Sequence, residues 1–195
     1  MTPPYQQPVA HIAFWVLFGL FAVGEYAMRF RSGFNRGGNK VERWSLLVVL
    51  VTVIGGMLGG LSLAHWHAAS DGGAGWPLFV VGLTLMAAGI VVRQWAIFVL
   101  GRFFTVDVCI HPGQTVVERG PYRWVRHPAY TGLVLFFVGV GLALSNWASL
   151  LVLALVPTLG LLVRIHSEER ALLAGLGEDY RRYAATHSRL FPGIW

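Results

Sequence analysis

The sequence predicts an all-α integral membrane protein with five transmembrane helices, the last two forming a helical hairpin, and a polar cap on the cytoplasmic side. The chain of 195 residues is 55% hydrophobic and only 12% charged, which is about half the charged fraction of a soluble domain. Long apolar runs recur along it, and its basic residues cluster in alternate polar segments. The length allows one domain.

Four apolar regions supply the predicted helices. The first three, residues 11–28, 44–66 and 76–100, are each long enough to cross about 30 Å of hydrocarbon at about 1.5 Å per residue. The fourth, residues 130–163, is interrupted by Ser145 and Asn146. This break predicts a helical hairpin whose first arm barely crosses the bilayer.

The positions of the charges predict the topology. All but one of the fifteen Lys and Arg residues lie in three segments, residues 29–43, 101–127 and 164–195. The polar segments that alternate with these contain no Lys or Arg. By the positive-inside rule, the N-terminus is outside and the C-terminus and the three basic segments are cytoplasmic. The net charge of +6 therefore indicates a membrane interface and no nucleic-acid partner.

Composition also limits the chemistry that we expect. Cys109 is the one cysteine, so no intramolecular disulfide can form, and no metal site is expected because the histidines are spread over both sides. Residues 1–8 lack a basic region, so we expect no cleavable signal peptide. The sequence has no alternating strand–helix pattern with a glycine fingerprint, which argues against a soluble nucleotide-binding fold.

The long link between the third and fourth helices, residues 101–127, is the first candidate for function. We call this segment the cap. Links longer than about 12–15 residues without regular structure are usually functional or disordered, and this one contains enough apolar residues to pack. Pro128 suits the first turn of a helix, whose free N–H groups can bind polar ligands. A basic membrane anchor with a proline helix start explains the same pattern.

A second candidate closes the fifth helix. Arg164 and Glu168 are four residues apart and share one helical face, and charged groups near membrane depth usually face a bundle or a polar cavity. A solvated interfacial ion pair is the alternative. Residues 177–183 predict a short amphipathic helix at the interface, followed by an extended tail. Glu25 is expected to pair with Arg29, and Arg93 either snorkels to the interface or faces the site.

Several motifs occur in a fixed order between residues 101 and 192. They are Gly120-x-Tyr122, Arg126-His127-Pro128-x-Tyr130-x-Gly132, Arg164 with Glu168-Glu169, and Gly177-Glu178-x-Tyr180-x-x-Tyr183. In this order, on a five-helix membrane chain, they resemble the isoprenylcysteine carboxyl methyltransferase family of membrane enzymes. The resemblance implies a single methyltransferase domain over residues 1–195, with three transmembrane helices in residues 1–100 and a catalytic half in residues 101–195.

The resemblance also implies ligands and site residues. The cap would enclose S-adenosylmethionine, and an opening toward the lipid would admit a prenylated cysteine or a similar lipidic acceptor. Arg164 would face the acceptor carboxylate as the catalytic and substrate-binding residue. The residues implied to contact the cofactor are Asp107, Gln114, Thr115, Val116, Val117, Tyr122, His127, Pro128, Ala129, Tyr130 and Glu168. Asp107 stands where the family often has an amide, and Gln114 where a histidine is frequent.

Other functions remain open at this point. The same scaffold could methylate a phospholipid amine, a small thiol or a phenolic lipid. A membrane reductase that uses NADPH is a further alternative, although those enzymes usually have an acid where Leu133 follows Gly132. A transporter or assembly factor is the non-enzymatic alternative, but the polar residues lie on one side and not near the midplane. The oligomeric state and the membrane stay open.

Overall fold

The computed structural model describes residues 4, 7–34, 39–42, 44–66, 75–105, 108–111 and 113–195. Its five helices are α1 (Pro8–Phe34), α2 (Trp44–Leu63), α3 (Gly75–Leu100), α4 (Pro128–Ala143) and α5 (Trp147–Thr186). Two short strands, β1 (Asn39–Glu42) and β2 (Val108–Ile110), pair in an antiparallel arrangement. The predicted all-α membrane fold is confirmed, and the strands add one small contact between two interhelical links.

The helices have the lengths and surfaces of a membrane bundle. Helices α1, α2, α3 and α5 each contain a segment long and apolar enough to cross a bilayer. Helix α4 has 16 residues and is about 24 Å long, as expected for the short arm. Exposed tryptophans mark both ends of the helices, as in the aromatic belts of membrane proteins: Trp44, Trp66, Trp76, Trp95, Trp124 and Trp147. The chain is an integral membrane protein.

Helices α3 and α4 approach each other at their glycines. A Cβ atom added to Gly89 would lie 2.6 Å from the carbonyl oxygen of Gly132, and one added to Gly82 would lie 2.6 Å from that of Gly139. Only residues without a side chain permit this backbone separation, a common device in membrane bundles. The close contact fixes the start of α4 against the end of α3.

Helices α2 and α5 pack in the same way, with small residues opposite large ones. A Cβ atom on Gly60 would clash with the Leu153 side chain, and one on Gly56 would meet the ring of Pro157. Phe21 of α1 stacks on Phe136 of α4 with ring centroids 3.8 Å apart. The apolar core therefore lies between all five helices.

The turn between α4 and α5 is closed by its own polar groups. The Asn146 side chain accepts a hydrogen bond from Ser149 N at 3.0 Å, and its amide donates to the carbonyl oxygen of Trp66 at 3.0 Å. The Ser149 hydroxyl donates to the carbonyl oxygen of Gly60 at 2.7 Å. The predicted break at Ser145 and Asn146 is confirmed, and we call this side of the bundle the turn end.

Helix α5 is longer than predicted. The apolar run ends near residue 163, yet the helix continues through the charged segment to Thr186. The extension contains good helix formers, and it buries Ala171, Tyr180 and Tyr183 against the rest of the protein. Gly177, with φ of 57°, interrupts the helical geometry. The short helix predicted over residues 177–183 therefore starts at this kink, as the second of the two helical segments that make up α5.

Candidate functional site

A cavity that is open on one side lies at the end of the bundle opposite the turn end. The end of α3, the cap, the start of α4 and the second half of α5 form its walls. We call this side of the bundle the cavity end. The lining residues are Leu100, Phe103, Phe104, Thr105, Ile110, Gln114, Thr115, Val116, Val117, Tyr122, Arg126, His127, Ala129, Tyr130, Arg164, Glu168, Leu172, Leu176, Tyr180 and Tyr183.

Ten of the twelve residues predicted for the site line this one cavity. Of the other two, Pro128 is fully buried at the first turn of α4 and supports the wall without lining it. Asp107 lies outside the described residues. The fold thus brings together the two separate sequence candidates, the cap with the start of α4 and the end of α5, while the role of each residue stays a prediction.

Glu168 is the carboxylate that lines the cavity. The Tyr130 hydroxyl donates a hydrogen bond to Glu168 Oε2 at 2.7 Å, and His127 Nδ1 lies 3.9 Å from the same oxygen. The His127 and Tyr130 rings stack with centroids 5.7 Å apart. Glu168 keeps about a third of its side chain exposed. The result is a partly open negative charge, fixed in position, on one wall of the cavity.

Arg164 lies on the same helix one turn earlier. It is buried, with 4% of its surface exposed, and its Nη1 atom donates to the Ser45 hydroxyl of α2 at 2.8 Å. Ser45 is itself fully buried. The alternative of a solvated ion pair with Glu168 is therefore wrong for Arg164, which is a buried cation held in the wall by α2. No sequence pattern indicated Ser45 as the partner of Arg164.

Glu169 organises the wall behind the cavity. Its Oε1 atom accepts from Arg126 Nη1 at 2.7 Å and lies 3.4 Å from His127 Nε2, while Oε2 accepts from Arg189 Nε at 2.9 Å. Three basic side chains thus share one buried carboxylate. Only Glu168 was predicted to contact the cofactor, and of these two neighbouring acids it is Glu168 that lines the cavity.

The C-terminal tail, residues 187–195, closes over the cap. The backbone N–H groups of Arg126 and His127 donate to the carbonyl oxygens of Ser188 and Arg189, at 2.9 and 3.0 Å. The Thr131 hydroxyl donates to the carbonyl oxygen of Leu190 at 2.6 Å. These bonds fix the chain direction just before α4. They therefore set the position of the His127 ring.

The contacts of two cavity tyrosines, Tyr183 and Tyr122, explain the structural role of the first and the protonation state of the second. The Tyr183 hydroxyl donates to the carbonyl oxygen of Tyr122 at 2.6 Å, which ties α5 to the cap. Burial, reinforced by the nearby Glu168 carboxylate, raises the pKa of the Tyr122 hydroxyl above its ordinary value. Tyr122 is therefore protonated at physiological pH and can donate but cannot act as a base.

Arg93 links the cavity wall to α1. Its guanidinium forms an ion pair with Glu25, and its Nη1 atom donates to the carbonyl oxygen of Ala129 at 3.1 Å. Arg93 is 7% exposed, so it faces the bundle and does not snorkel. The expected pairing of Glu25 with Arg29 stays a prediction, because the Arg29 side chain lies outside the described residues.

Among the described residues, two buried polar side-chain atoms lack a hydrogen-bond partner: Arg126 Nε and the Tyr180 hydroxyl. Both residues line the cavity, and neither was predicted as a site residue. Both residues belong to the motifs around His127 and Gly177, and this was the sequence feature that could have indicated a role in the site. The apolar lining residues Phe103, Leu172 and Leu176 were also not predicted, since apolar residues carry no distinguishing chemistry.

Comparisons with known proteins agree on one family. The isoprenylcysteine carboxyl methyltransferase family matches residues 80–174. A probable protein-S-isoprenylcysteine O-methyltransferase of Oryza sativa subsp. indica is 35% identical over 59% of this chain and 62% of its own length. Methanethiol S-methyltransferase of Mycobacterium tuberculosis is 31% identical over 91% of this chain and 76% of its own length.

A solved structure is similar over almost the whole chain. It is the eukaryotic intramembrane Ras methyltransferase, an isoprenylcysteine carboxyl methyltransferase. The TM-score is 0.70 at 22% identity, over 97% of this chain and 69% of that one. This likeness concerns the fold. The chain spans about half to three fifths of the first curated relatives that it matches.

The family match covers α3, the cap, α4 and most of α5, which are the elements that form the cavity. The relative from M. tuberculosis extends the similarity to the N-terminal helices, and the structural match includes them. The chain belongs to the isoprenylcysteine carboxyl methyltransferase family.

Proposed function

We propose that this protein transfers a methyl group from S-adenosylmethionine to an acceptor that reaches the cavity from the membrane. The observation that carries the proposal is the convergence of Tyr122, His127, Tyr130, Arg164 and Glu168 on one cavity at the end of a membrane bundle. Family membership supports methyl transfer, and the relatives from rice and M. tuberculosis are both named as methyltransferases.

The residues of the cavity fit the proposed cofactor. S-adenosylmethionine carries a sulfonium and an ammonium group, and the Glu168 carboxylate offers a negative charge held by Tyr130. Its adenosyl group needs apolar surface, and Val116, Val117 and Leu172 provide it.

The chain contributes binding, orientation and exclusion of water. When bound, S-adenosylmethionine supplies an activated methyl group. Arg164 is fixed by Ser45, so it can hold an acceptor carboxylate by charge-assisted hydrogen bonds. A carboxylate is already ionised at pH 7 and needs no general base. Alignment inside the cavity then supplies most of the rate enhancement.

The preferred acceptor is a prenylcysteine-like lipid with a free carboxylate. Arg164 is buried and positive, and it favours an anionic acceptor over an amine. A lipid tail gains about 0.8 kcal/mol per buried methylene in the bilayer. The tail can therefore concentrate the acceptor beside the cavity, with its carboxylate at the membrane surface.

A small thiol is the second candidate acceptor. The relative from M. tuberculosis, named methanethiol S-methyltransferase, aligns with 91% of this chain, more than the rice relative does. A thiol has an ordinary pKa of about 8.5 and reacts as the thiolate. Its methylation rate should rise with pH up to that value, whereas the methylation rate of a carboxylate acceptor should not depend on acceptor ionisation above about pH 6.

The proposed topology places the cavity end in the cytoplasm. Two of the basic segments lie at this end, residues 101–127 before α4 and residues 164–195 in the second half of α5 and the tail. Single cysteines test it in a Cys109→Ser background. We expect Arg123→Cys, beside the cavity, to react with an impermeant maleimide only in inverted vesicles. Trp66→Cys, at the turn end, should react only from the outside. The reverse pattern would contradict the topology.

The decisive assay measures transfer of a labelled methyl group from S-adenosylmethionine by the purified protein in detergent. The acceptors are a farnesylcysteine analogue, methanethiol and a phospholipid extract. We expect labelling of the farnesylcysteine analogue and no dependence of its rate on acceptor ionisation. Labelling of methanethiol alone would support the second candidate. Labelling of no acceptor, with no binding of S-adenosylhomocysteine, would overturn the enzyme proposal.

A further inference from the structure

The two unpartnered donors belong to residues that line the same cavity. The Tyr180 hydroxyl interacts electrostatically with Arg126 as well as with Glu168 and Glu169. Tyr180 is 4% exposed, and neither its hydroxyl nor Arg126 Nε has a hydrogen-bond partner among the described residues. A buried donor without a partner is unfavourable, so this pair is suited to a ligand that brings acceptors.

Arg126 is fixed at one end only. Glu169 holds its Nη1 atom at 2.7 Å, and Glu169 is in turn held by Arg189 at 2.9 Å. The guanidinium therefore has a defined position, while its Nε–H has no hydrogen-bond partner among the described residues. An N–H and an O–H donor in one cavity wall suit a carboxylate, which accepts hydrogen bonds at its two oxygens and does not donate.

The cavity thus has two cationic positions held from different sides. Arg164 is anchored to Ser45 of α2, and Arg126 is anchored to the Glu169 cluster that includes the tail. The proposed reaction brings two carboxylates to this cavity, one on the acceptor and one on the amino-acid part of the cofactor. Two separate cations can bind them without mutual competition.

We infer that Arg126 and Tyr180 bind the carboxylate of the cofactor's amino-acid group, while Arg164 binds the acceptor. This assignment rests on the proposed function and deepens it. It identifies two contacts that the sequence motifs did not assign. It also explains why a tyrosine hydroxyl is buried in a protein wall without a partner.

Binding of two cofactor analogues tests the inference. S-adenosylhomocysteine has the amino-acid group, and 5′-methylthioadenosine lacks it. We expect Tyr180→Phe to raise the Kd for S-adenosylhomocysteine about tenfold, the effect of losing one hydrogen bond to a charged group. The Kd for 5′-methylthioadenosine should change less than about twofold on the same scale. Arg126→Lys, which keeps a cation beside Glu169, should show the same selectivity because lysine lacks the guanidinium Nε–H.

Tyr183→Phe is the matched control, because the Tyr183 hydroxyl already donates to the carbonyl oxygen of Tyr122. This variant should unfold at a lower temperature and keep the wild-type ratio of the two Kd values. Without ligand, Tyr180→Phe should be at least as stable as the wild type, since it removes an unpartnered polar atom. A lower unfolding temperature for Tyr180→Phe would mean that the hydroxyl has a structural partner, and would overturn the inference.

The remaining outcomes separate the two proposals. Equal weakening of both analogues by Tyr180→Phe, or no weakening of either, would overturn the assignment while the enzyme proposal stands. A rise in the KM of the farnesylcysteine analogue alone would place the acceptor's carboxylate at this pair and also overturn it. If the wild type bound neither analogue, the proposed function itself would fail.

Discussion

The two ends of the bundle use polar residues in opposite ways. At the turn end, Asn146 and Ser149 direct their hydrogen bonds to the backbone and hold the helices together. At the cavity end, Arg164 and Glu168 are held at fixed positions by other residues, and the Tyr180 hydroxyl has no hydrogen-bond partner in the part of the chain that the structure describes. The polar groups at the turn end stabilise the fold, whereas those at the cavity end are positioned around a space that a ligand can occupy. This difference distinguishes a candidate ligand site from a structural turn.

Among variants that test this difference between the two ends, Arg164→Ala is expected to have the largest effect on methyl transfer. Loss of the fixed guanidinium should lower methyl transfer at least about 100-fold, because the acceptor is no longer aligned. The Kd for S-adenosylhomocysteine should stay within about twofold of the wild type. Initial rates and calorimetric binding check both values.

Arg181→Ala is the control for that variant, since the Arg181 side chain is 72% exposed and lies outside the cavity lining. It should leave the rate and the Kd unchanged. An equal loss of cofactor affinity and rate in Arg164→Ala would contradict the assignment of Arg164 to the acceptor.

Glu168→Gln should weaken binding of S-adenosylhomocysteine about tenfold or more, because a charged partner of its ammonium group becomes neutral. The amide oxygen can still accept from Tyr130, so the fold should persist. The Kd for S-adenosylhomocysteine measures the effect. Glu178→Gln, whose side chain is 65% exposed, is the matched control, and a similar loss in both variants would show that Glu168 has no special role.

Ser45→Ala should have a smaller effect. It removes the hydroxyl that holds Arg164 at 2.8 Å but keeps the cation. Loss of one hydrogen bond, about 1 kcal/mol, predicts a rise of about fivefold in the KM of the acceptor. The Kd for S-adenosylhomocysteine should not change, and a change confined to that Kd would show that Arg164 faces the cofactor.

Asn146→Ala should have no effect on the site. It removes the cap of α5 and the bond to the carbonyl oxygen of Trp66, so the free energy of unfolding should fall by about 1 kcal/mol. Thermal unfolding checks the stability, and the Kd for S-adenosylhomocysteine should equal that of the wild type. A weaker Kd would mean that the two ends are coupled.

Sequence patterns were sufficient for the features that depend on local order. Apolar runs predicted the helices, and the motifs predicted that Tyr122, His127 and Glu168 line one site. They failed where contacts join distant segments. No local spacing predicted that Glu25 of α1 pairs with Arg93 of α3 across the bundle. The Glu169 cluster depends on a tail that folds back over the cap, and no local pattern encodes that return.

Hydrogen–deuterium exchange with and without S-adenosylhomocysteine is the most direct test that the ligand binds at the cavity end and that the turn end is structural. It measures backbone protection at both ends of the bundle in one experiment. We predict that addition of the ligand slows exchange in residues 113–130 and 164–183. We predict no change around residues 60–66 and 144–150. Protection at the turn end, or no protection around the cavity while the ligand is bound, would contradict this assignment.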